Sequence, residues 1–572
     1  MDIRRWMLGV VSGLLATTAW SQQDLLFIDS FDGWSNTGSA TRERQAAAAF
    51  LQRATFGPTV AEIDALVASS PSEWLTAQIN RPASLHYPEV IEIVETSDNE
   101  DFINFSRYGV WWDRSLNAPD QLRQRMAFAL SQILVISDQS EALSDAPYGM
   151  AQYYDILVQH GLGNYRDVLL EVSRHPTMGW YLSHIGSQVA DPALNIRPDE
   201  NYAREIMQLF SVGLVMLNAD GTVQTDEEGQ PIPTYDQNDV KEMARVFTGW
   251  VFASQPCDLP NDIILLQFAI WDEPMDGCNN RHDDGSKTVL GTTIAAGGTP
   301  ESDLQAAVDI LMNHPNTAPF IGVRLIQRLV TSNPTPGYVG RVAAVFADNG
   351  QGVRGDLAAV TRAILLDQEA LRGFRDSDTF GRLREPLLRH TLLYRAFDEA
   401  PFTGRYFPIG EFITVPFRQR PLGANSVFNF FAPSYSPPGP LSDANLLAPE
   451  FRLESDALHT VNSNQLDFAV RFLVRGSEVE DVWMSAPTSE VEGLITIGFD
   501  AELALVDDPA ALLRLLDLKL TAGRMPDAMF SELLTELSGI LPVAVGDPEL
   551  QIAIISEFAH QILASSAFMI QR

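Results

Sequence analysis

The chain has 572 residues and a formal net charge of −35, from 74 acidic and 39 basic side chains. Such a surface repels the phosphates of nucleic acids and of anionic lipids, so partners of these classes are disfavoured. Because 45% of the residues are hydrophobic and 9% are aromatic, the composition excludes an intrinsically disordered chain.

The first 21 residues have the pattern of a secretory signal peptide. Arg4 and Arg5 precede an apolar run from Trp6 to Ala16, and Ala19 and Ser21 occupy the small-residue positions of a cleavage site. The run is shorter than the ~20 apolar residues that a membrane-spanning helix needs. The sequence therefore predicts an exported protein, periplasmic or extracellular, with a retained N-terminal anchor as the alternative.

Helical patterns fill most of the chain that follows a tail or linker at residues 22–44. Between 215 and 300, Gly, Pro, Asn and Asp interrupt the helical periodicity, and "KTVLGTTI" has the pattern of a short strand. A Pro- and aromatic-rich loop covers residues 420–442. We predict a mainly α fold: one large multi-helix globular domain at residues 45–572, with one irregular, partly β insertion at 215–300.

The two cysteines of the sequence, Cys257 and Cys278, lie close together in this insertion. In an oxidising compartment a local pair predicts a disulfide, and neither residue has the spacing of a zinc site. Closing a loop of about 20 residues stabilises the fold by ~3 kcal/mol on the chain-entropy estimate.

The stretch "RPDENYAREIMQLFSVG", residues 197–213, predicts a short amphipathic helix. Asp199 is its expected N-cap and Gly213 its left-handed terminator. Its apolar side chains gather on one face, which we expect to lie in the core. They are Tyr202, Ile206, Leu209 and Phe210.

A polar stripe borders that face. Asn201, Glu205 and Gln208 follow each other at helical spacing, and Glu200 and Arg204 stand one turn apart, so that they can pair. A helix that lines a cleft has such a stripe, and so does a helix held by a buried hydrogen-bond network. Both interpretations stay open for this segment.

A second segment, "TYDQNDVKEMARVFTGW" at residues 234–250, repeats the theme. Asp236 is the expected N-cap, and Asp239 completes a capping arrangement. Glu242 lies toward one flank of the helix, with Arg245 farther round. Acidic residues in a first turn also stabilise a helix without any chemistry, through its dipole.

The loop "NNRHDDGSKTVLGTTI", residues 279–294, places His282, Asp283, Asp284 and Lys287 within six positions. Histidine changes charge near neutral pH, and a neighbouring carboxylate orients its ring. With the acids of "WDEPMD", the loop has oxygen ligands of the kind that bind Ca²⁺. The spacing matches no established metal site, and an acidic surface turn is the alternative.

Several motifs occur in an order that resembles one bacterial family. They are "RATFGPT", "RPDENYAREIMQLFSVGL", "YDQNDVKEMARVFTGW", "HDDGSKTVLG", "HPNTAPFIGVRLIQRLV" and "RGDLAAVTRAILLD". From about residue 45 to the C-terminus the chain resembles the family catalogued as domain of unknown function 1800. The common motifs of hydrolases, zinc proteases, kinases and dehydrogenases do not occur.

The resemblance implies an exported bacterial protein whose family has no assigned activity. Members are often encoded beside sulfatase-like exported proteins, which points to polysaccharide or sulfate-ester metabolism and to such a protein as a partner. This chain has Asp199 where the family usually has Asn, and its loop "SVFNFFAPSYSPPG" departs from the family pattern. The departure in the loop leaves open any ligand specificity carried there.

These observations support two hypotheses of different classes. The first is a carboxylate-based hydrolase, with or without a metal, acting on an extracellular polymer such as a polysaccharide. Its candidate catalytic residues are Glu205, Asp239, Glu242 and His282. Its candidate substrate-binding residues are Asn201, Arg204, Arg245, Lys287 and Trp250, with the Phe428–Phe431 loop as a further stacking surface. Its candidate metal ligands, for a divalent cation such as calcium, are Asp283 and Asp284.

The second hypothesis is a non-catalytic exported protein for binding or assembly, which partners an exported enzyme. The same polar side chains would then form buried networks that fix the packing of helices. Removing one partner from such a network costs stability and changes no turnover.

Overall fold

The computed structural model describes residues 39–97, 100–258, 269–402, 419–477 and 494–572, together with Tyr406, Glu480 and Met484. The predicted signal peptide and residues 22–38 of the predicted tail lie outside the described residues. The first helix begins at Ser39, ahead of the boundary predicted at residue 44.

The part of the chain before the insertion is a succession of helices. Many begin with a proline in the first turn, where its missing N–H costs no hydrogen bond. They are α1 (Ser39–Ala54), α2 (Val60–Val67), α3 (Pro71–Ile79), α4 (Tyr87–Thr96), α5 (Glu100–Asn117), α6 (Gln121–Ser131), α7 (Glu141–Ser144), α8 (Pro147–His160), α9 (Tyr165–Arg174), α10 (Pro176–Tyr181) and α11 (Asn201–Gln208).

The described residues of the insertion form one helix and two small antiparallel pairs of strands. Its elements are α12 (Gln237–Val246), β1 (Trp250–Val251), β2 (Asp276–Gly277), β3 (Lys287–Val289) and β4 (Thr292–Ile294). β1 pairs with β2, and β3 pairs with β4. The run predicted as one strand is thus a hairpin, because Leu290 and Gly291 both take positive φ and turn the chain back.

Helices return after the insertion and continue to the C-terminus. They are α13 (Pro300–Asn313), α14 (Thr317–Leu329), α15 (Pro336–Ala347), α16 (Leu357–Leu365), α17 (Gln368–Asp376), α18 (Pro386–Ala396), α19 (Pro440–Asp443), α20 (Asp456–Phe472), α21 (Asp500–Leu503), α22 (Pro509–Thr521), α23 (Asp527–Ile540), α24 (Pro548–Leu563) and α25 (Ser566–Met569). Two 3-10 helices lie at Pro449–Leu453 and Leu541–Ala544. The remaining strands of the described residues are β5 (Arg382–Leu383), β6 (Ala400–Pro401), β7 (Ile495–Thr496) and β8 (Ile570–Gln571), paired β5 with β8 and β6 with β7.

One continuous apolar core runs through the described residues, from α1 to α25. Its largest side chains include Trp111 and Trp112 of α5 and Tyr202 of α11, all at most 2% exposed. The pairing of β5 with β8 ties the C-terminus to the segment that precedes α18. The predicted mainly α fold with an irregular, partly β insertion is confirmed.

Cys257 and Cys278 form the predicted disulfide. This bond is compatible with export, because disulfides persist in oxidising compartments. Among the residues that the structure describes, no helix is both long enough and apolar enough to cross a membrane.

The disulfide closes a loop of 21 positions, and cutting it would increase the entropy of the unfolded chain. We expect the double variant Cys257→Ala/Cys278→Ala to lose about 3 kcal/mol of unfolding free energy. Urea unfolding under oxidising conditions measures this loss. An unchanged urea midpoint would show that the bond adds no stability.

Candidate functional site

The N-cap of α11 is Glu200 and the helix ends at Gln208, so the prediction of Asp199 as the N-cap and of Gly213 as the residue that ends the helix is wrong by one residue at the start and by several at the end. An Asp199 carboxylate oxygen accepts the backbone N–H of Asn201 at 2.8 Å, and the N–H of Gly213 donates to the carbonyl of Met207 at 2.9 Å. Gly213 has φ +74, and a Cβ there would lie 2.7 Å from the Phe320 ring. The chain therefore turns at Gly213 for two reasons, the left-handed backbone and the close ring.

The polar stripe of α11 is partly engaged with neighbouring elements. Glu200 accepts a hydrogen bond from Arg204 at 3.2 Å, which confirms the predicted pair, and a second from the Gln237 side chain of α12 at 2.7 Å. Asn201 is exposed, and its amide nitrogen lies 3.4 Å from the Ser183 hydroxyl. Glu200 and Gln237 thus join α11 to the start of α12.

Glu205, farther along the stripe, has a different environment. Its side chain is half-buried, and its Oε2 atom is buried without a hydrogen-bond partner among the described residues. Burial raises the pKa of Glu205, although the charge of Arg204 opposes this. A carboxyl group in this state holds its proton more readily than an exposed glutamate does.

Two tyrosine side chains, Tyr181 and Tyr235, interact electrostatically with Glu205. The pKa of Tyr181 is raised to about 12, mainly because the side chain is buried and in smaller part because the Glu205 carboxylate is nearby. Burial also raises the pKa of Tyr235, whose hydroxyl interacts electrostatically with both Arg204 and Glu205. Within the described chain, the Tyr235 hydroxyl and the neighbouring Thr234 hydroxyl are buried without hydrogen-bond partners. Unsatisfied buried polar atoms of this kind mark places where water or a ligand binds.

The carboxylates of Asp239, Glu242 and Asp283 accept hydrogen bonds that join α12 to the β3–β4 hairpin and its loop. The Arg245 guanidinium donates to both oxygens of Glu242 at 2.8 and 3.0 Å, and to both oxygens of Asp283 at 2.7 and 2.9 Å. Glu242 also accepts the backbone N–H of Thr288 at 2.9 Å. This network fastens the β3–β4 hairpin to α12.

Asp239 adds one more link to the hairpin. Its carboxylate completes the predicted capping box with Asp236, and its second oxygen accepts the N–H of Leu290 at 2.8 Å. Each carboxylate oxygen of Asp239 therefore accepts one backbone N–H group, from Asp236 and from Leu290.

His282 and Lys287 are buried against a carboxylate from α13. The Lys287 ammonium donates to Asp303 at 2.6 Å, and its side chain is 0% exposed. The two ring nitrogens of His282 lie 2.8 Å from the Thr248 carbonyl and 3.2 Å from the Asp303 carboxylate. Burial would raise the pKa of Asp303, but hydrogen bonds from His282 and Lys287 outweigh burial and lower it.

Trp250 lies in the protein interior. It is 1% exposed and pairs with Gly277 across the β1–β2 ladder, so its indole presents no stacking face to solvent. The preceding Gly249 has φ +90, and a Cβ there would lie 2.8 Å from the Cys278 carbonyl. Packing of the insertion thus accounts for the Gly-Trp ending of this motif.

The two candidate metal ligands, Asp283 and Asp284, have different environments. Both oxygens of Asp283 bind Arg245, whereas Asp284 is exposed. Across the described ranges, no three His, Cys, Asp or Glu side chains are grouped so that they could hold a metal ion.

The structure divides the candidate residues into two groups. Arg245 joins Glu242 of α12 and Asp283 of the hairpin loop in one hydrogen-bonded network, while Glu205 lies outside it, on α11. The residues that the sequence did not single out are Asp303, Tyr181 and Tyr235. Asp303 is an acidic residue in the first turn of a helix, where such residues are common, so only its long-range contact with Lys287 distinguishes it.

Replacing Asp303 would leave the buried Lys287 ammonium without its carboxylate. We expect Asp303→Asn to lower the unfolding free energy by about 3–5 kcal/mol, because an uncompensated buried charge is costly. The matched control is Asp284→Asn in the exposed turn, which should change stability by less than about 0.5 kcal/mol. Equal denaturant midpoints for the two variants would contradict this account of the ion pair.

No curated protein and no solved structure matches this chain. The model of the family described as "Protein of unknown function (DUF1800)" matches residues 49–569, nearly the whole chain. The protein belongs to the DUF1800 family.

Proposed function

We propose that the protein is an exported hydrolase of an extracellular polymer such as a polysaccharide, and that Glu205 is its general acid–base carboxylate. One observation carries the proposal. Among the candidate carboxylates, Glu205 combines a raised pKa with a buried oxygen that lacks a hydrogen-bond partner in the described chain. A general acid needs both a proton near neutral pH and an atom free to deliver it.

The residues around Glu205 fit supporting roles in this proposal. Asn201 and Arg204 precede it on the same helix, where they would orient a substrate oxygen or anionic group. The unpartnered hydroxyl groups of Thr234 and Tyr235 would bind the polymer beside the bond to be cleaved. Asp239, Glu242 and His282 are assigned to the scaffold, since their polar atoms bind protein groups.

The chemistry assigned to Glu205 is ordinary acid–base hydrolysis. The protonated carboxyl gives its proton to the leaving oxygen as the bond breaks. The resulting carboxylate takes a proton from the attacking water, whose oxygen remains on the substrate. The carboxyl is thereby restored.

Glu205→Gln should abolish turnover without a loss of stability. We expect activity to fall by about 10²–10⁴-fold, the usual contribution of a general acid–base group. Release of new chain ends from a panel of extracellular polysaccharides measures the activity. Retention of full activity by Glu205→Gln would contradict the role given to this residue.

The same variant has a pH signature. The pKa of Glu205 is raised in the folded state, so the folded protein binds the proton more tightly than the unfolded chain does. Stability therefore falls as pH rises from the ordinary glutamate pKa through the folded value. Glu205→Gln should lack this decline, and its melting temperature at pH 7 should equal or exceed that of the unaltered protein.

Glu242→Gln is the matched control. It removes the charge that Arg245 binds, so we expect a loss of about 1–2 kcal/mol in stability and retained activity in the folded protein. If Glu242→Gln abolished turnover in the folded state while Glu205→Gln did not, the catalytic assignment would belong to the network instead.

The second candidate is a non-catalytic exported binding or assembly protein that partners an exported enzyme, such as a sulfatase-like protein. The hydrogen-bond saturation of Asp239, Glu242 and Asp283 favours it, because these acids behave as structural groups. No turnover on any polymer, together with a stable complex between the purified protein and such an enzyme, would support this candidate over the hydrolase.

A further inference from the structure

A cavity of about 480 Å³ opens beyond the C-terminal end of α11. It lies between α14 and the aromatic loop at residues 427–434. This volume is within the range of about 300–1,000 Å³ that is common for ligand sites. The side chains that line it include Gln132, Gln208, Phe320, Arg324, Arg328 and Phe428.

The cavity carries positive charge in a strongly acidic protein. Arg324 and Arg328 stand one turn apart on α14, and the described residues that line the cavity include no Asp or Glu. Burial and the charge of Arg328 lower the pKa of Arg324 to about 10. Burial lowers the pKa of Arg328 to about 10 as well, in spite of two nearby glutamates. Both cations would therefore gain from an anion between them.

The positive charge is not cancelled behind the cavity wall. Behind Arg324 and Arg328 lie two more arginines, Arg125 and Arg382, and two glutamates, Glu385 and Glu450. Four guanidinium groups against two carboxylates leave an excess of positive charge. Arg125 and Arg382 both donate to the backbone carbonyl of Arg328, so the backbone of this residue is held firmly.

Aromatic rings hold the two cavity arginines in place. The Arg324 guanidinium lies over the Phe320 ring, 4.8 Å from its centroid, and that of Arg328 lies over Phe431 at 4.6 Å. Arg328 is 2% exposed, and its Nε atom is buried without a hydrogen-bond partner in the described chain. Stacking leaves the N–H groups at the edge of a guanidinium able to bind an anion.

The cavity also has a place for a ring and for a hydroxyl group. Phe320 and Phe428 supply apolar surface, and Phe428 remains 50% exposed. The Oε1 atom of Gln132 is a buried acceptor without a donor among the described residues, while its amide group is held by Glu385 at 2.5 Å. A ligand hydroxyl would satisfy this oxygen.

We propose that this cavity binds an acidic sugar, with its carboxylate between Arg324 and Arg328, its ring against Phe320 and Phe428, and a hydroxyl group donating to Gln132. A carboxylate accepts paired hydrogen bonds from guanidinium groups, and the apolar face of a sugar ring packs on aromatic side chains. The proposal is separate from the role of Glu205, because its test measures affinity and not turnover.

Calorimetric titration of the full exported chain at constant ionic strength tests the proposal. The probes are D-glucuronate, D-glucose and acetate, which separate the ring from the carboxylate. We expect D-glucuronate to bind at least about tenfold more tightly than either of the others, because it alone offers both groups. Equal binding of glucose would remove the role of the arginines, equal binding of acetate would remove the role of the ring, and no binding of glucuronate would overturn the proposal.

Variants assign the binding to this cavity. Arg324→Gln should weaken glucuronate binding about tenfold, through loss of a charged hydrogen bond. Phe428→Ala, at an exposed position that the fold does not depend on, should weaken it as well. Arg452→Gln is the matched control, since Arg452 is an exposed arginine near the Tyr435 ring outside the cavity. If Arg324→Gln binds as tightly as Arg452→Gln, the cavity is not the site.

Discussion

The Arg245 guanidinium lies between two carboxylates that are far apart in the sequence, Glu242 of its own helix and Asp283 of the hairpin loop. Because all four carboxylate oxygens accept its N–H groups, the hairpin has one position on α12. Asp303 fixes the other side of the loop by binding Lys287. Glu242, Asp283 and Lys287 are thus used to hold the insertion together and to fasten it to α13. Glu205, on the neighbouring helix, is left with an oxygen that no described group binds.

Local signals in the sequence predicted local structure well. The capping box at Asp236 and the turn at Gly213 depend on residues within a few positions, where spacing determines contact. The partners of Arg245 and Lys287 were not predictable in this way. Asp283 and Asp303 reach them through the tertiary fold, so a single sequence shows only that acids and bases are present. Trp250 was predicted to bind substrate because its sequence position does not show that it is buried. Burial is set by the tertiary fold.

The overall charge of the chain is also a poor guide to its interior. The net charge of −35 is a sum over the whole sequence, and it does not reveal that the interior contains arginines with lowered pKa values beside an open cavity. Desolvation and repulsion between like charges lower the pKa values of these arginines. The stripe of α11 connects the two regions, because Gln208 at its end lines the cavity and Glu205 lies one turn before it. In the function proposed for this protein, a polymer bound along α11 would meet Glu205 first and the cationic cavity next.

The ionisation of Glu205 is the most direct test of the account. Carbon-13 labelling of glutamate carboxyls, followed by NMR titration, gives the pKa of the one signal that disappears in Glu205→Gln. We expect that signal to titrate above the ordinary value of about 4.3, because burial disfavours the charged form. A value at or below the ordinary one would show a solvated or paired carboxylate. Glu205 would then have no advantage over the structural acids as a proton donor.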